Sequence, residues 1–204
     1  MREKLIRDLK KNGLVRVTAP SVGHLQYAAV LLLLCDNGNN LEILLTKRSE
    51  LVTHHRGEVA FPGGMWERCD TDMLETALRE TNEEIGLSRD YIEPIATLPP
   101  IAPKNRPTKV TPFVARMIGN PDLTLQTSET DCVFRIPVNY FLYPKNYQHF
   151  FVNYGKHQKK VPMVQFHNYR IWGMTLRIIV NMLNSFGDAN IKLNIIQDNF
   201  IDKR

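Results

Sequence analysis

The residues best suited to chemistry are the acidic ones between positions 79 and 84, in the segment RETNEE. Residues of an α-helix advance about 100° per position, so a helix here would present Glu80, Glu83 and Glu84 on one face within a single turn. Carboxylates at this spacing repel one another, and a cation bound between them would reverse that effect. Hard cations such as Mg²⁺ prefer carboxylate oxygens. The pattern predicts a metal site; the plainer alternative is a solvated helix face with an Arg79–Glu83 ion pair.

The residues around this segment favour the metal site. Gly63 and Gly64, in a predicted Pro-Gly-Gly turn, would let the backbone approach a ligand closely. Gly86 stands where a helix is expected to end. The opposite face of the predicted helix is apolar and can pack against a sheet. Its residues are Leu74, Ala77, Leu78 and Ile85. A glycine turn followed by a helix with one acidic and one apolar face is a platform for a metal.

The segment from Phe61 to Leu87, FPGGMWERCDTDMLETALRETNEEIGL, resembles the Nudix box. The general box reads G-x5-E-x7-R-E-U-x-E-E-x-G-U, where U is aliphatic. Residues 79–87 match its second half, with Thr81 in the aliphatic position. In the first half the spacing from Gly64 to Arg79 is one residue longer, and Asp70 or Thr71 stands where the box has Glu. The coenzyme A pyrophosphatase subfamily has this longer loop, with Asp in place of Glu.

The residues before the box also resemble that subfamily's extended signature. They are Leu44–Ser49 (LLTKRS), His55-x-Gly57 and Val59-x-Phe61-Pro62-Gly63-Gly64. The resemblance implies a Nudix-type α/β/α sandwich with a mixed β-sheet between helices. It also implies a pyrophosphohydrolase that depends on Mg²⁺ or Mn²⁺. The implied substrate is coenzyme A or an acyl derivative, cleaved to 3′,5′-adenosine bisphosphate and 4′-phosphopantetheine.

The resemblance also suggests a role for each site residue. Glu80 and Glu84 are expected to be metal ligands, and the Gly63 carbonyl a backbone ligand. Glu83 is expected to be a ligand or the general base. Arg79 is expected to orient the carboxylates through charge-assisted hydrogen bonds.

Further site residues are expected in the flanking segments. Glu129 lies in a polar loop where Nudix proteins often carry an additional carboxylate, and the alternative is a solvated side chain. Five basic or imidazole side chains are candidate substrate contacts. They are Lys47, Arg48, His55, Lys104 and Arg106. Arg is well suited to bidentate phosphate binding, although such residues at strand ends and loop tips are also commonly just solvated.

Two alternatives stay open. Thr53 stands where the subfamily signature has Arg, which favours another Nudix substrate: ADP-ribose, a nucleotide sugar, a dinucleotide or capped RNA. The second is a catalytically silent nucleotide-binding Nudix domain. Every carboxylate of the second half of the box is present, which argues against lost activity.

Composition sets broader limits. The 204 residues, 43% apolar and 23% charged, are typical of one globular domain. We expect a single Nudix domain over residues 1–204, with an N-terminal helical extension (1–20) and a C-terminal tail (188–204). The net charge of +5 favours an anionic partner. Without an RNA-binding motif, that partner is expected to be a small nucleotide-containing molecule rather than a nucleic acid.

Cysteine content and hydropathy bear on location. Three cysteines without CxxC spacing argue against a disulfide framework and a zinc site, and favour a reducing cytoplasm. The longest apolar run, Tyr27–Cys35, is shorter than the roughly 20 residues that span a membrane. A homodimer is a further expectation, with the N-terminal helix as one candidate contact.

Hydrophobic periodicity predicts alternating strands and helices, and thus a mixed sheet between helices. Pro112 suggests a sheet edge or bulge. The segment 155–160 is expected to be a basic hairpin tip, either solvated or in contact with the 3′-phosphate of the substrate. Helices are predicted at 1–12, in the box, at 136–142 and at 171–186; strands at 27–35, 41–46, 58–61, 91–97, 109–117, 149–154 and 161–166.

Overall fold

The computed structural model describes residues 2–18, 25–52, 56–102, 107–154 and 157–193. The candidate substrate contacts His55, Lys104 and Arg106 lie outside the described residues. So do Thr53 and the tail beyond residue 193.

Three α-helices and ten strands make up the described structure. The helices are α1 (Arg2–Asn12), α2 (Met73–Ile85) and α3 (Gly173–Phe186). The first five strands are β1 (Gln26–Asp36), β2 (Leu41–Arg48), β3 (Val59–Ala60), β4 (Gly63–Met65) and β5 (Ile92–Thr97). The others are β6 (Thr108–Met117), β7 (Thr130–Pro137), β8 (Tyr147–Tyr154), β9 (His157–Phe166) and β10 (Tyr169–Trp172). Short 3₁₀ turns occupy Arg89–Tyr91, Val138–Leu142 and Pro144–Asn146.

Strand β1 is the centre of a seven-stranded mixed sheet. It runs parallel to β6 and antiparallel to two partners on its other side, β4 opposite Ala28–Val30 and β2 opposite Leu33–Asp36. The main order is β3-β2-β1-β6-β5, and β7 pairs with β2. Because β1 changes partner midway, β2 and β4 diverge there. The candidate catalytic segment, Phe61–Leu87, contains β4 and therefore begins at this divergence.

Helices cover both faces of this sheet. Along β1, Leu32 and Leu34 belong to one buried cluster, whereas Leu31 and Leu33 belong to a second. The first cluster contains residues of α1 and α3, and the second contains residues of α2. Burial on both faces explains why β1 is a continuous apolar run. The α/β/α sandwich expected from the sequence is confirmed.

Helix α2 has well-defined ends. The Asp72 carboxylate caps its start by accepting hydrogen bonds from the backbone N–H groups of Leu74 (2.9 Å) and Glu75 (3.0 Å). Gly86 ends it with φ of 67°, the left-handed conformation that glycine tolerates best. A Cβ at Gly86 would also press on Thr124. The register of the acidic residues on α2 is therefore fixed at both ends.

Helix α1 was expected to be amphipathic, and it is. Leu5 and Leu9 are fully buried in the cluster shared with α3. Its apolar face is therefore used within the chain, which removes the suggestion that this face makes a dimer contact. None of the helices in the described part of the chain has the length and apolar content needed to cross a membrane.

Two predictions about the main sheet are wrong. Pro112 lies at neither an edge nor a bulge: β6 runs between β1 and β5, and Pro112 pairs with Val30 while its carbonyl accepts from the Leu98 N–H (2.9 Å). The irregularity in the β5–β6 pairing falls at Pro94–Ala96 instead. Gly63 and Gly64 are not a turn. They belong to β4, because their backbone pairs with β1.

Two elements near the C-terminus also differ from expectation. Residues 157–160 belong to strand β9 rather than to a hairpin tip, because they pair with β8. Ile171 and Trp172 form β10, so α3 begins only at Gly173. The predicted helix over 136–142 is a 3₁₀ turn that follows β7. Strands β8, β9 and β10 form a separate antiparallel sheet in the order β10-β9-β8.

Candidate active site

The catalytic segment brings helix α2 against strand β4. A Cβ at Gly64 would overlap the Glu80 carboxylate, so only glycine leaves room for Glu80 in its present position. Gly63 has φ of 148°, and a Cβ there would overlap the backbone of Ala29 and Val30. Close packing against β1 therefore requires glycine at position 63, and a side chain at position 64 would displace the Glu80 carboxylate from its present position.

The Arg79 side chain donates hydrogen bonds to three carboxylates and one carbonyl. Its Nε and Nη2 bond to Asp70 (2.9 and 3.1 Å), and Nη2 also bonds to the Met65 carbonyl (3.0 Å). Its Nη1 bonds to Glu80 and Glu83, each at 3.0 Å. The Asp70 hydrogen bond raises the pKa of Arg79 further, so the guanidinium is a permanent cation. This geometry fits the expected orienting role of Arg79.

Asp70 anchors Arg79 from the loop before α2. Its side chain is 3% exposed and also accepts from the Glu67 N–H (2.9 Å) and the Thr76 hydroxyl (2.9 Å). Burial raises the pKa of Asp70, but the hydrogen bonds from Arg79, Glu67 and Thr76 outweigh burial and hold it below its ordinary value. Asp70, and not Thr71, thus occupies the position opposite Arg79. The sequence offered both residues without a means of choosing.

Glu84 is the most buried of the three glutamates Glu80, Glu83 and Glu84. Its side chain is 5% exposed, and the Arg48 Nη1 lies 3.7 Å from its Oε1. Burial raises the pKa of Glu84 to about 8, against the opposing effect of Arg48. The negative charges of Glu80 and Glu129 add to the increase, and a hydrogen bond from the Gly63 N–H opposes it.

Glu80 and Glu83 differ in exposure although both bond to Arg79. The Glu80 side chain is 16% exposed and that of Glu83 is 57% exposed. Burial raises the pKa of Glu80, and Arg79 opposes this change. The charges of Glu83 and Glu129 raise it further. Glu80, partly buried, and Glu84, buried, thus both have raised pKa values, and a cation between them would stabilise their charged forms.

Glu129 approaches the cluster from the loop before β7. The side chain is exposed, and its charge acts on both Glu80 and Glu84. Backbone hydrogen bonds fix the loop on two sides. The Glu129 carbonyl accepts from the Ser49 N–H (2.8 Å), and the Gln126 N–H donates to the Glu84 carbonyl (3.0 Å). The structure therefore brings Glu129 to the expected neighbourhood.

A β-bulge separates the two basic residues at the end of β2. Lys47 pairs with Cys132, whereas Arg48 pairs with Thr130, which leaves Asp131 as the extra residue. The Lys47 ammonium bonds to Asp131 (2.9 Å), and Arg48 reaches Glu84. Arg48 thus joins the site, and Lys47 forms a separate ion pair beside it. The Arg48–Glu84 pair was not expected from the sequence, because the two residues lie on different elements.

The donor set suits a hard divalent cation, because it consists of carboxylate and backbone oxygens. The side chains that would coordinate this cation are those of Glu80, Glu84 and Glu83, and the Gly63 carbonyl oxygen would be a backbone ligand. In the described part of the chain, no group of three or more Asp, Glu, His or Cys side chains is arranged as a metal-binding cluster. The reason is visible in the ion pairs: Glu80 and Glu83 turn to Arg79, and Glu84 faces Arg48.

Comparison with known proteins agrees with this geometry. The NUDIX domain family model matches residues 25–148, more than half of the chain. A probable nudix hydrolase of Schizosaccharomyces pombe is 31% identical over 185 residues, which cover 87% of this chain and 62% of that protein. Nudix hydrolase NudL of Enterobacter sp., described as uncharacterized, is 34% identical over 147 residues, covering 71% of this chain and 75% of that protein.

Mouse peroxisomal coenzyme A diphosphatase NUDT7 is 38% identical over 119 residues, which cover 58% of this chain and 50% of that protein. The chain thus spans less than two thirds of the yeast and mouse relatives. Among solved structures, a MutT/nudix family protein from Enterococcus faecalis superposes with a TM-score of 0.53 at 20% identity, over 83% of this chain and 65% of that one, which shows a common fold. The catalytic segment and the match to the family model together establish that the chain belongs to the Nudix family.

Proposed function

We propose that this protein is a metal-dependent hydrolase of a diphosphate linkage. The observation that carries the proposal is the pair Glu80 and Glu84, a partly buried and a buried carboxylate one helical turn apart, beside Gly64, where a Cβ would overlap the Glu80 carboxylate. Arg79 and Arg48 pair with these carboxylates, yet the pKa values of both carboxylates stay raised. A bound divalent cation would offset the remaining cost of burying them together.

In this proposal, Glu80, Glu84 and the Gly63 carbonyl hold Mg²⁺ or Mn²⁺. When bound, the metal neutralises the charge of the diphosphate and lowers the pKa of a coordinated water. Arg79, itself fixed by Asp70, keeps Glu80 and Glu83 in position. Glu83 has the most exposed carboxylate of the three glutamates, and we assign it as ligand or general base.

Glu129 supplies additional negative charge at the rim of the site. Arg48, 28% exposed and close to Glu84, is the described cation best placed to contact a substrate phosphate. Lys47, His55, Lys104 and Arg106 remain predicted contacts. A catalytically silent domain is not favoured, because all three box carboxylates and their Arg79 partner are present.

We propose coenzyme A or acyl-coenzyme A as the substrate, with 3′,5′-adenosine bisphosphate and (acyl-)4′-phosphopantetheine as products. The support is the sequence before the box, from Leu44 to Gly64, and the similarity to a mouse protein named as a coenzyme A diphosphatase. Two broader predictions also stay proposals. They are a single domain over residues 1–204, with an extension at 1–20 and a tail at 188–204, and a cytoplasmic location.

The test is turnover of coenzyme A, ADP-ribose and capped RNA in the presence of Mg²⁺ or Mn²⁺, with products identified by mass spectrometry. We expect coenzyme A to be cleaved fastest, with both products at the masses given above. Cleavage of ADP-ribose or capped RNA but not of coenzyme A would refute coenzyme A as the substrate, but it would support the proposed hydrolase activity. If no diphosphate is cleaved and Mn²⁺ titration shows no binding, the hydrolase proposal itself is refuted.

A further inference from the structure

In the part of the chain that the structure describes, strand β8 has one unpaired edge. It is the outer strand of the sheet β10-β9-β8, and its pairing runs along β9 only. Among the described residues, the backbone hydrogen bonds of this strand run to β9, apart from that of the Tyr147 N–H at its start, which donates to the Pro144 carbonyl. The strand is eight residues long, whereas native proteins often keep exposed edge strands very short.

The hairpin between β9 and β10 shows which backbone groups point to this edge. Residues 167 and 168 form a two-residue turn, so the flanking pair Phe166–Tyr169 is a hydrogen-bonded pair. Hydrogen-bonding direction alternates along a strand, and Pro162 therefore faces β10 as Phe166 does. Pro162 pairs with His149 on β8, so His149 must direct its own N–H and C=O away from β9.

The same alternation extends to Phe151 and Asn153. Their backbone groups, with those of His149, form the row that faces solvent. The assignment is consistent with the chemistry of Pro162, which has no N–H to donate to β8. The open edge thus carries alternating donors and acceptors at positions 149, 151 and 153.

The side chains of β8 do not protect this edge. Natural edge strands carry charged residues, prolines or bulges that prevent pairing with another chain. The sequence of β8, YQHFFVNY, contains no Lys, Arg, Asp, Glu or Pro. Phe151 is 64% exposed, on a strand rich in residues with high β-propensity. This combination is typical of a strand that pairs with another strand.

We propose that β8 pairs antiparallel with β8 of a second copy of this chain, about a two-fold axis at Phe151. In this register Phe151 lies opposite Phe151 of the second copy, and His149 lies opposite Asn153. Each of these hydrogen-bonded pairs exchanges two bonds, about six in all. The two exposed phenyl rings come into contact across the axis.

The neutral side chains favour a second copy over another protein strand. A two-fold axis brings each edge residue near its own equivalent, so a charge at the centre would repel itself. The centre of β8 has no acidic, Lys or Arg side chain, because His149 and Asn153 flank the aromatic residue Phe151. Two copies of this edge can therefore pair without repulsion between such charges at the axis. The result would be a continuous six-stranded sheet across the dimer.

Charge substitution at Phe151 tests the axis directly. In sedimentation-velocity experiments over a range of concentrations, we expect the native chain to form dimers, and Phe151→Lys and Phe151→Glu each to be monomeric. An equimolar mixture of the two variants should regain the dimer, because opposite charges then face one another. Ile118→Lys, at another exposed apolar residue (50%) outside this sheet, is the control and should stay dimeric. Circular dichroism reports whether each variant is folded.

A cysteine at position 151 supplies a second test that needs no charge. Hydrogen-bonded antiparallel pairs have Cα atoms about 5.5 Å apart, which is within the range of a disulfide. In a Cys69→Ser background, which removes the exposed native thiol, Phe151→Cys should give a covalent dimer on mild oxidation and Ile118→Cys should not. A native chain that stays monomeric at all concentrations, or Phe151→Lys and Phe151→Glu variants that stay dimeric, would overturn the proposal. Failure of the mixture to associate would also overturn it, whatever other strand the edge binds.

Discussion

Glu84 lies at 5% exposure with Arg48 as its nearest described cation, and these two facts set the chemistry of the site. A buried carboxylate is costly unless it is paired or bound to a metal. Its neighbours in the helix, Glu80 and Glu83, already share the Arg79 guanidinium. Glu84 is therefore the carboxylate for which a bound cation would matter most.

The first prediction concerns Glu84→Gln. We expect the rate of diphosphate hydrolysis to fall by about 10²–10⁴-fold, since a charged group of the reaction centre is lost. The fold should persist, because Gln has nearly the same shape and needs no compensating charge. Steady-state kinetics with Mg²⁺, together with Mn²⁺ titration, measure both effects, and Glu83→Gln should also lose activity. The matched control is Glu75→Gln, on the exposed side of the same helix, where Glu75 pairs with Arg89. Equal activity of native and Glu84→Gln proteins would refute the assignment of Glu84 to the active site.

The second prediction uses the lowered pKa of Asp70. A depressed folded-state pKa means that Asp70 contributes stability above its unfolded value of about 3.8, and that this contribution is lost as the pH falls through the folded value. Asp70→Asn should therefore destabilise the protein by about 1–3 kcal/mol at neutral pH, because a buried donor of Arg79 loses its charged acceptor.

The free energy of unfolding in urea, measured for both proteins from pH 7 down to the acid limit, checks this. The difference between them should shrink below pH 3.8. A constant difference would show that Asp70 carries no perturbed charge. At neutral pH the variant should also lose activity, since Arg79 would no longer be held.

Helix α2 and strand β4 could be placed from the sequence to different degrees. The apolar face and Gly86 predicted α2, because these signals are local, whereas its N-cap Asp72 was not predicted. Gly63 and Gly64 were expected to form a turn; their strand pairing depends on β1, which lies about 35 residues earlier in the chain. Pairing of this kind leaves no local pattern.

The missed strand β7 has a related cause. Its sequence TDCVFRIP mixes charged and apolar residues, and Val133 and Phe134 pack on opposite faces of the sheet. Lys159 and Lys160 indicated a solvated tip, yet they lie in β9, because pairing with Val152 and Phe151 determines their conformation. At the site, the acidic face was predictable, and the Arg48–Glu84 pair and the choice of Asp70 required the fold.

The third prediction, at the level of these elements, is that Gly64→Ala impairs the site without unfolding the sheet. The new Cβ would overlap the Glu80 carboxylate, so α2 and β4 would separate or Glu80 would turn away. We expect a large loss of kcat and weaker Mn²⁺ binding, with a smaller change in melting temperature. Met65→Ala, an exposed position of the same strand (43%), is the control and should retain activity. A fully active Gly64→Ala protein would show that Glu80 is free to move without consequence.

At the scale of the whole molecule, helix α1 packs into the same hydrophobic core as α3. Leu5 and Leu9 are fully buried, and Lys4 forms an ion pair with Asp188 just after α3. The Gly13 carbonyl accepts a hydrogen bond from the Thr97 N–H (3.1 Å), which joins the end of α1 to β5. The first residues of the chain therefore stabilise the face of the sheet opposite the acidic helix.

The fourth prediction follows from this packing. Leu5→Ala should reduce the free energy of unfolding by about 2–5 kcal/mol, as is typical when a fully buried leucine leaves a cavity. Urea denaturation followed by circular dichroism is the measurement. Lys11→Ala, on the solvated side of α1, is the control and should change stability little. If Leu5→Ala were as stable as the native chain, α1 would contribute nothing to the core.

The length of the loop that carries Glu129 determines where the Glu129 carboxylate lies. Its backbone is tied to the end of α2 at Thr124 and Gln126, and to β2 at Ser49. The number of residues between these ties determines how far the carboxylate reaches. Insertions or deletions there would move the Glu129 carboxylate relative to Glu80 and Glu84, so the length of this loop matters to the charge of the site.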